Sequence, residues 1–407
     1  MKRQLPIIIS IGVLLISVMA CSLQGTNIPP TVDATVTEVK EIETPTSLPP
    51  TETQPTEIPT NGVPQFPVIE APQLTSIRFF DENNGWGLTS SNVLRTEDGG
   101  ETWFNVTPSG VTDISFGAVG YFFDSSHGWL AVSNMTNPDD PGQLFRTSDG
   151  GASWAESALP PSMGGRFSFV DPDNGFFMSD LGAGAGSNWV GIYSTVDGGA
   201  NWTPQYVPVP GNPETEGALP ASGQKSGMTF IDSNRGWVTG SIPMDNYLYL
   251  YNTTNGGSFW NNQNGPVPTT FGTVFTSTYP PAFFGQDGIM PVTLVGNVIN
   301  LVIYTSGDGG ASWTPAPAPV ANAGRGELVD FVSPLDGFAW ANGRFAVTHD
   351  GAESWGTVTP SVPFGDNMAF MDFVDTTTGW VVTMNADSHN SLYKTTDGGT
   401  NWITLIP

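Results

Sequence analysis

The sequence predicts an all-β fold, and three observations support this prediction. One eight-residue motif recurs seven times, an apolar strand-like segment precedes each copy, and no amphipathic helical pattern follows the first twenty residues. The composition agrees, because charged residues are only 12% of the chain, which contains 49 Gly, 13 Trp and 24 Phe among 407 residues. These features predict a seven-bladed β-propeller of four-stranded antiparallel blades, placed after a disordered Thr/Pro-rich tether.

The N-terminus has the organisation of an export signal. Two basic residues precede an apolar run, 7–18, which is followed by Met-Ala-Cys with Cys21 as the last residue. This arrangement resembles the lipobox of bacterial lipoproteins. We therefore expect residues 1–20 to be a signal peptide and Cys21 to carry acyl chains that anchor the protein on the outer surface of a bacterial membrane. An uncleaved membrane anchor is the alternative.

Residues 21–66 are expected to form a tether. After Cys21, Thr, Pro and Glu dominate, as in TPTSLPPTETQPTEIPTNG (44–62). Few apolar side chains are available for burial and each Pro removes a backbone donor, so the composition predicts disorder. The propeller is then expected to occupy residues 67–407.

The recurring motif reads Ser/Thr-x-Asp-x-Gly-x-x-Trp, and we call each copy an Asp box. Its Trp residues are 42 to 58 residues apart, a spacing that suits propeller blades of four short strands. A second signature precedes each box, as in IRFFDENNGWGL (77–88) and MDFVDTTTGWVV (371–382), and predicts strand A, a tight turn and strand B. Strand C, the box and strand D follow. The seven boxes are 96–103, 147–154, 195–202, 253–260, 306–313, 348–355 and 395–402.

The residue types in the box predict a structural role. Ser/Thr and Asp side chains can accept hydrogen bonds from turn amides, Gly permits positive φ, and the Trp can bury its ring at the start of strand D. Asn255 replaces Asp in the fourth copy, and Ala352 replaces the second Gly in the sixth, where it requires strain or a different turn. The residues expected to be structural are Asp98, Asp149, Asp197, Asn255, Asp308, Asp350, Asp397, Trp103, Trp154, Trp202, Trp260, Trp313, Trp355 and Trp402.

These motifs carry a family resemblance over residues 73–407. The Asp box resembles the BNR repeats of sialidases. The combination of this box with the preceding F-x-D-x-x-x-G-W signature is more similar to the repeats of the photosystem II assembly-factor-like propellers. The resemblance implies a propeller that is often exported and that acts on a protein partner. The fold and the box serve many activities, so the implied function is less specific than the implied fold.

The topology of the repeat separates two faces. The A–B turns and the boxes should lie on one face, and the B–C loops and D–A links on the other, which we call the variable face. From the strand-B Gly to the box Asp or Asn, the chain runs 13 residues in the first repeat but 22 in the third, and the longest D–A link is 203–228. Variable loops on a rigid scaffold commonly bind ligands, so we expect a protein or glycan partner on this face.

Four residues are candidates for binding on the variable face. Arg166, Lys225 and Arg325 each precede a strand A, so they could form a cationic rim that attracts a carboxylate, a sulfate or an acidic loop. Scattered solubilising charges are the alternative. Trp189, at the end of GAGAGSNW (182–189), is a candidate ligand-facing aromatic residue, and packing on the surface is its alternative.

Several classes of function are disfavoured. A net charge of −26 argues against nucleic acid as a partner. The single cysteine excludes an intramolecular disulfide. The three histidines, His127, His349 and His389, show no metal-ligand spacing, and no dinucleotide loop, P-loop or nucleophile elbow is present, so we expect neither a metal nor a cofactor.

The sequence therefore predicts a monomeric, non-enzymatic binding or assembly scaffold. The alternative is a carbohydrate-active protein of the BNR type, either a glycoside hydrolase, a sialidase-like enzyme or a glycan-binding protein. A glycoside hydrolase would place two acids across a groove, and Glu327 and Asp330 can be named as candidates among many. The Arg-Ile-Pro motif typical of sialidases is absent.

Overall fold

The structure, a computed structural model, describes residues 66–114, 117–184, 186–208, 215–323, 328–385 and 389–407. They form an all-β structure with two 3-10 helices of one turn each, Thr269–Phe271 and Gly365–Asn367. In these ranges, no helix has the length and hydropathy to cross a membrane. The expected signal peptide, Cys21, Arg325 and Glu327 lie outside the described residues, as does the tether up to residue 65.

Five of the repeats form separate four-stranded antiparallel sheets, in which neighbouring strands follow chain order. We number the repeats 1 to 7 by their Asp boxes. Repeats 1 to 3 contain β1 (Ser76–Phe79), β2 (Gly85–Leu88), β3 (Val93–Thr96), β4 (Phe104–Asn105), β5 (Ala118–Phe122), β6 (Gly128–Val132), β7 (Gly142–Thr147), β8 (Ala155–Leu159), β9 (Gly165–Phe169), β10 (Gly175–Gly184), β11 (Ser187–Thr195) and β12 (Thr203–Tyr206).

Repeats 4 and 5 are joined in one ten-stranded sheet. Their strands are β13 (Gln224–Phe230), β14 (Gly236–Ser241), β15 (Tyr249–Thr253), β16 (Asn261–Asn262), β17 (Phe275–Thr278), β18 (Ala282–Phe284), β19 (Asp287–Val295), β20 (Ile299–Ser306), β21 (Thr314–Pro315) and β22 (Val320–Ala321). Repeats 6 and 7 return to the four-stranded pattern, with β23 (Val329–Phe331), β24 (Gly337–Ala341), β25 (Arg344–Thr348), β26 (Gly356–Val358), β27 (Met368–Phe373), β28 (Gly379–Met384), β29 (Asn390–Thr395) and β30 (Ile403–Ile406).

In the ten-stranded sheet, β19 and β20 are nine and eight residues long, and each pairs with an added strand. Their far halves extend past the four-stranded part of repeat 5, and the added strands pair with backbone groups there that would otherwise be unpaired. β17 pairs with the far half of β19 and touches β14 through Ser241 and Ser277. β22 pairs with β20 on the other side, at Asn300 and Leu301. Two strands therefore lie in segments that the sequence predicted to be links.

Aromatic stacking joins six pairs of neighbouring repeats, and between repeats 5 and 6 Phe331 packs in one cluster with Ile289 instead. In these pairs an aromatic ring near the end of strand A lies against the strand-B aromatic of the preceding repeat, as in Phe169 on Trp129, with ring centroids 3.9 Å apart. The strand-B glycine permits this packing, since a Cβ on Gly175 would lie 2.3 Å from the Phe169 ring. The signature F-x-D-x-x-x-G-W thus encodes a contact between repeats. The other stacked pairs are Phe122–Trp86, Phe230–Phe176, Phe283–Trp237, Phe373–Phe338 and Phe79–Trp380.

The last of these pairs joins the two ends of the β-structure. Phe79 and Trp380 stack with centroids 3.7 Å apart, although the first and last sheets exchange no strand. The segment at 67–69 instead lines the outer edge of repeat 1, where Val68 bridges to Phe104 and the amide of Ile69 donates to the Trp103 carbonyl at 2.9 Å. Side-chain packing therefore holds the first and last sheets together.

Candidate functional site

The Asp boxes share one hydrogen-bond pattern in all seven copies. In the first, the Thr96 hydroxyl donates to Asp98 at 2.9 Å and accepts from the amide of Gly100, while Asp98 accepts from the amide of Thr102 at 2.8 Å. The amide of Gly99 donates to the carbonyl of Asn83, which places the A–B turn beside the box. The equivalent contacts in the other six boxes put all these turns on one face, which we call the box face.

These contacts occupy the box carboxylates. Bonds from the hydroxyl and the amide of Ser312 lower the pKa of Asp308 to about 2. Asn255 makes the same contacts through its amide oxygen, which accepts from the amide of Phe259 at 3.0 Å. Ala352 adopts the left-handed conformation with φ of 68°, so the sixth box keeps the same turn at the cost of backbone strain. A catalytic carboxylate needs an oxygen that can reach a substrate. The Asp-box carboxylates instead accept hydrogen bonds from their own turns, which favours a structural role.

The variable face contains a cavity of about 860 Å³. The first residues of several strands A line it, because each strand A begins on this face and ends at an A–B turn. Arg166 in β9 and Lys225 in β13 are both in the lining, together with Tyr279, Phe370 and Met384. The structure thus brings together two of the four predicted binding residues.

The Lys225 ammonium is engaged within the protein. It donates to the carbonyl of Asn188 at 2.7 Å, to that of Ala221 at 3.3 Å and to that of Pro220. It also lies 5.5 Å from the centre of the Tyr249 ring. These contacts fasten the link before β13 to the neighbouring hairpin, so the Lys225 charge is directed to the protein's own backbone.

Arg166 and Trp189 differ in position. The Arg166 side chain is exposed at the cavity, and among the described residues its guanidinium donates only to the neighbouring carbonyl of Gly165, at 2.9 Å. Trp189 lies opposite Gly182 in the extended β10–β11 hairpin, is half-buried and does not line the cavity. Of the predicted binding residues inside the described ranges, Arg166 alone presents its polar group to the cavity.

Two apolar residues of the cavity rim were missed by sequence reasoning. Phe370 and Met384 are 41% and 45% exposed, which is unusual for large apolar side chains in strands. Phe370 follows an irregularity in the register of β27, between Met368 and Phe370. The signal was present in the sequence, since alternation puts Phe370 on the same face of its strand as Asp372, away from the sheet core.

A charged cluster lies along the innermost strands of repeats 1, 6 and 7. Arg78 pairs with Asp372 at 2.9 Å, and the other oxygen of Asp372 accepts from the amide of Phe79. Asp330 accepts from the amide of Phe373 at 2.6 Å. Each carboxylate therefore satisfies a backbone amide of the following repeat, and Tyr121 and Ser168 do the same for Phe169 and Phe230.

Burial raises the pKa values of both acids in this cluster. It raises the pKa of Asp372 to about 7, against the opposing effect of Arg78 and with a further contribution from the negative charge of Asp330. Burial likewise raises the pKa of Asp330. These acids bond backbone amides of neighbouring repeats, and neither of them lines the cavity. In the described ranges, no group of His, Cys, Asp and Glu has the arrangement to hold a metal ion.

Comparisons with known proteins agree with this architecture. Residues 65–216 match the family model described as photosynthesis system II assembly factor YCF48. The photosystem II assembly lipoprotein Ycf48 of Synechococcus sp. (strain CC9902) is 25% identical over 289 residues, which are 69% of this chain and 74% of that protein. A xyloglucanase of Paenibacillus sp. is 26% identical over 278 residues, 57% of this chain but only 24% of the enzyme.

Solved structures share the fold. A structure of YCF48 bound to a D1 peptide aligns with a TM-score of 0.51 at 16% identity, covering 84% of this chain and 96% of that one. An ulvan lyase of polysaccharide lyase family PL25 aligns with a TM-score of 0.50 at 10% identity, covering 83% of this chain and 96% of that one. In its repeats and in its family match over residues 65–216, the chain is similar to the BNR-repeat propellers of the photosystem II assembly factor-like family.

Proposed function

We propose that this protein is an extracytoplasmic, lipid-anchored, seven-bladed propeller that binds a partner protein through its variable face. The observation that carries this proposal is the cavity with exposed Phe370, Met384 and Arg166 on its rim, opposite a face where the Asp-box aspartates are bonded within their own turns. Exposed aromatic, Met and Arg side chains are the types enriched in protein interfaces. The proposed domains are the signal peptide at 1–20, the lipidated tether at 21–66 and the propeller at 67–407.

The seven blades are inferred from repeated contacts. The same type of aromatic stack joins six pairs of neighbouring repeats, including repeat 7 with repeat 1, and Phe331 packs in one cluster with Ile289 between repeats 5 and 6, as expected of a closed ring. Repeats 4 and 5 share a sheet only through the added β17, so each can still count as one blade. The box residues would then stabilise one rim of the ring and leave the variable face for binding.

A protein is favoured over a glycan as the partner. Phe370 and Met384 are joined on the cavity lining by Pro280 and Pro291, which is an apolar set suited to peptide side chains. The related YCF48 has been solved with a D1 peptide, and we extend a peptide-binding role to this chain as a proposal.

Membrane anchoring is proposed from Cys21 and from the lipoprotein name of the Synechococcus relative. The test is metabolic labelling with a radioactive fatty acid, comparing the full chain with Cys21→Ser. We expect label and membrane association in the parent and neither in the variant. Equal labelling of both chains would contradict lipidation at Cys21.

A carbohydrate-active enzyme is the weaker alternative. The observation in its favour is the pair Asp330 and Asp372, since a raised pKa suits a general acid. Both side chains are bonded to backbone amides and Asp372 also to Arg78, which opposes such a role. A screen of chromogenic glycosides separates the two functions. Turnover that Asp372→Asn abolishes would establish the enzyme and overturn the scaffold.

The scaffold is tested by photo-crosslinking in the cells that make the protein. A benzophenone amino acid replaces Phe370 in one variant and Leu335 in another. Leu335 is the matched control, because it is a large apolar residue, 56% exposed, in an A–B turn of the box face. We expect a discrete protein adduct from position 370 and none from position 335. The same adducts from both positions, or none from either, would contradict binding at the variable face.

A further inference from the structure

A second feature of the variable face is a groove over repeat 6. Two further cavities of about 460 Å³ each continue from the one described above. We call the 860 Å³ cavity the inner cavity. The central cavity shares Asp366 and Met368 with it, and the outer cavity shares Ala341 and Asn342 with the central one. The three cavities thus adjoin one another and run from Phe370 out to Thr357. We call this the repeat-6 groove.

The short B–C connection of repeat 6 creates the groove. β24 and β25 are joined by a turn of two residues, Asn342 and Gly343, both with positive φ, as in a type I′ hairpin. The equivalent hairpins of repeats 3 and 5 continue much further, up to Ser187 and Ile299. Pro319 and β22 line the groove on one side of this short hairpin, and the 3-10 helix Gly365–Asn367 lines it on the other side.

The groove has a cation near each end. Arg166 lines the inner cavity and Arg344 the outer one, and both side chains are exposed. Arg344 has no ion pair or hydrogen bond with the described residues, and Arg166 bonds only its neighbour's carbonyl. The other six basic residues in the described ranges are bonded to carboxylates or backbone carbonyls, namely Arg78, Arg95, Arg146, Lys225, Arg235 and Lys394.

The middle of the groove carries a negative charge, in contrast to the positive charges near its ends. Asp366 lines both the inner and the central cavity and is exposed, so it repels a carboxylate placed between the two arginines. The central cavity is also lined by the apolar Leu328, Trp340 and Met368, each of which is largely buried, and the exposed Phe370 lines the inner cavity. A ligand that suits the whole groove therefore has acids at its two ends and apolar groups between them.

From this arrangement we propose that the repeat-6 groove binds an extended peptide segment of the partner protein, with one acidic residue meeting Arg166, another meeting Arg344 and apolar residues between. This inference rests on the proposed protein-binding function and names the chemistry of the segment. A uronate polysaccharide fits less well, because its regularly spaced carboxylates would meet Asp366. An anionic membrane surface is opposed by the net charge of −26.

The test starts from purified mature protein and a library of random twelve-residue peptides. We expect the selected peptides to carry Asp or Glu at two separated positions with apolar residues between them. Affinity, measured by fluorescence anisotropy on the best peptide, should fall about tenfold in Arg344→Gln and in Arg166→Gln, because each variant loses a charged hydrogen bond. Arg235→Gln is the matched control, since it removes the same charge from an A–B turn and should leave affinity unchanged.

Other outcomes would overturn the proposal. These are selected peptides without acids, equal affinity for the parent and Arg344→Gln, or an equal loss in Arg235→Gln. Polygalacturonate oligomers or phosphatidylglycerol vesicles that bind with the same dependence on Arg344, where peptides do not, would assign the groove to those ligands. A crosslink from position 370 that Arg344→Gln leaves unchanged would retain the protein-binding function while removing the groove from it.

Discussion

Arg78 and Asp372, 294 residues apart in the chain, form an ion pair of 2.9 Å between the innermost strands of the first and last repeats. The same carboxylate accepts the amide of Phe79, whose ring stacks on Trp380. Because neither sheet takes a strand from the other, these side chains are a main part of the contact between the chain's two ends. The stability of that contact should therefore depend on the charge of Asp372.

The first prediction concerns pH. The pKa of Asp372 in the folded protein, about 7, lies above the unfolded value of about 3.9. Because the folded protein binds the Asp372 proton more tightly than the unfolded chain does, protonation stabilises the fold. This stabilisation is fully present below the unfolded pKa and is lost as the pH rises through 7. Between pH 6 and pH 8, the free energy of unfolding should fall by about 1 kcal/mol more in the parent than in Asp372→Asn. Urea denaturation at both pH values measures this difference, and parallel pH dependence of the two proteins would contradict it.

The second prediction concerns the strand-B glycine. A Cβ on Gly85 would lie 2.6 Å from the Phe79 ring, which is buried against Trp380, so Gly85→Ala must displace the ring or the strand. We expect a loss of about 1–3 kcal/mol in the free energy of unfolding, typical of overpacking. Gly307→Ala is the control, since nothing lies within 4 Å of its added Cβ. Equal stability of the two variants would show that the stack tolerates displacement.

The third prediction concerns the Asp box. Asp98→Ala removes the acceptor for Thr102 and the partner of the Thr96 hydroxyl, whereas Asp98→Asn keeps an oxygen in the place that Asn255 fills in repeat 4. We expect the alanine variant to lose about 1–2 kcal/mol of stability and the asparagine variant to lose less. Thermal denaturation monitored by tryptophan fluorescence measures both. An asparagine variant as unstable as the alanine one would mean that the negative charge, and not the oxygen, is required.

The fourth prediction separates the roles of Lys225 and Arg166. Lys225→Met leaves several carbonyls of the link before β13 without their donor, so amide hydrogen exchange should accelerate at 219–223. Arg166→Met removes only a bond to Gly165 and should leave exchange there unchanged. Unaltered exchange in Lys225→Met would indicate that its ammonium is not required to hold the link and is free to meet a ligand.

Much of the architecture could be predicted from local patterns. The Asp box and the F-x-D-x-x-x-G-W signature determine short-range contacts, such as Thr96 with Asp98, and recur often enough to reveal the period. β17 and β22 could not be predicted, because they lie outside the repeated motifs and pair with the far halves of β19 and β20 only in the folded protein. The role of Lys225 was also hidden, since its carbonyl partners come from a link and a hairpin that meet only in the folded protein.

The candidate site was predicted less completely for a related reason. Sequence reasoning identified the variable face and Arg166 through loop length and charge. It missed Phe370 and Met384, because apolar residues in strands are normally assigned to the core. It also missed Arg344, which follows a two-residue turn. The cavities on either side of that turn, which make Arg344 a candidate binding residue, are visible only in the structure.

The central claim is that the variable face binds a protein through Phe370 and Met384, and it is tested most directly by the affinity for the partner identified by crosslinking. The measurement compares the parent, Phe370→Ser/Met384→Ser and Leu335→Ser/Ile403→Ser by isothermal titration calorimetry. The second pair provides the control, because both its residues are exposed apolar side chains remote from the cavity lining. We expect at least a tenfold loss of affinity in the first variant only. Equal affinity in all three proteins would contradict the account.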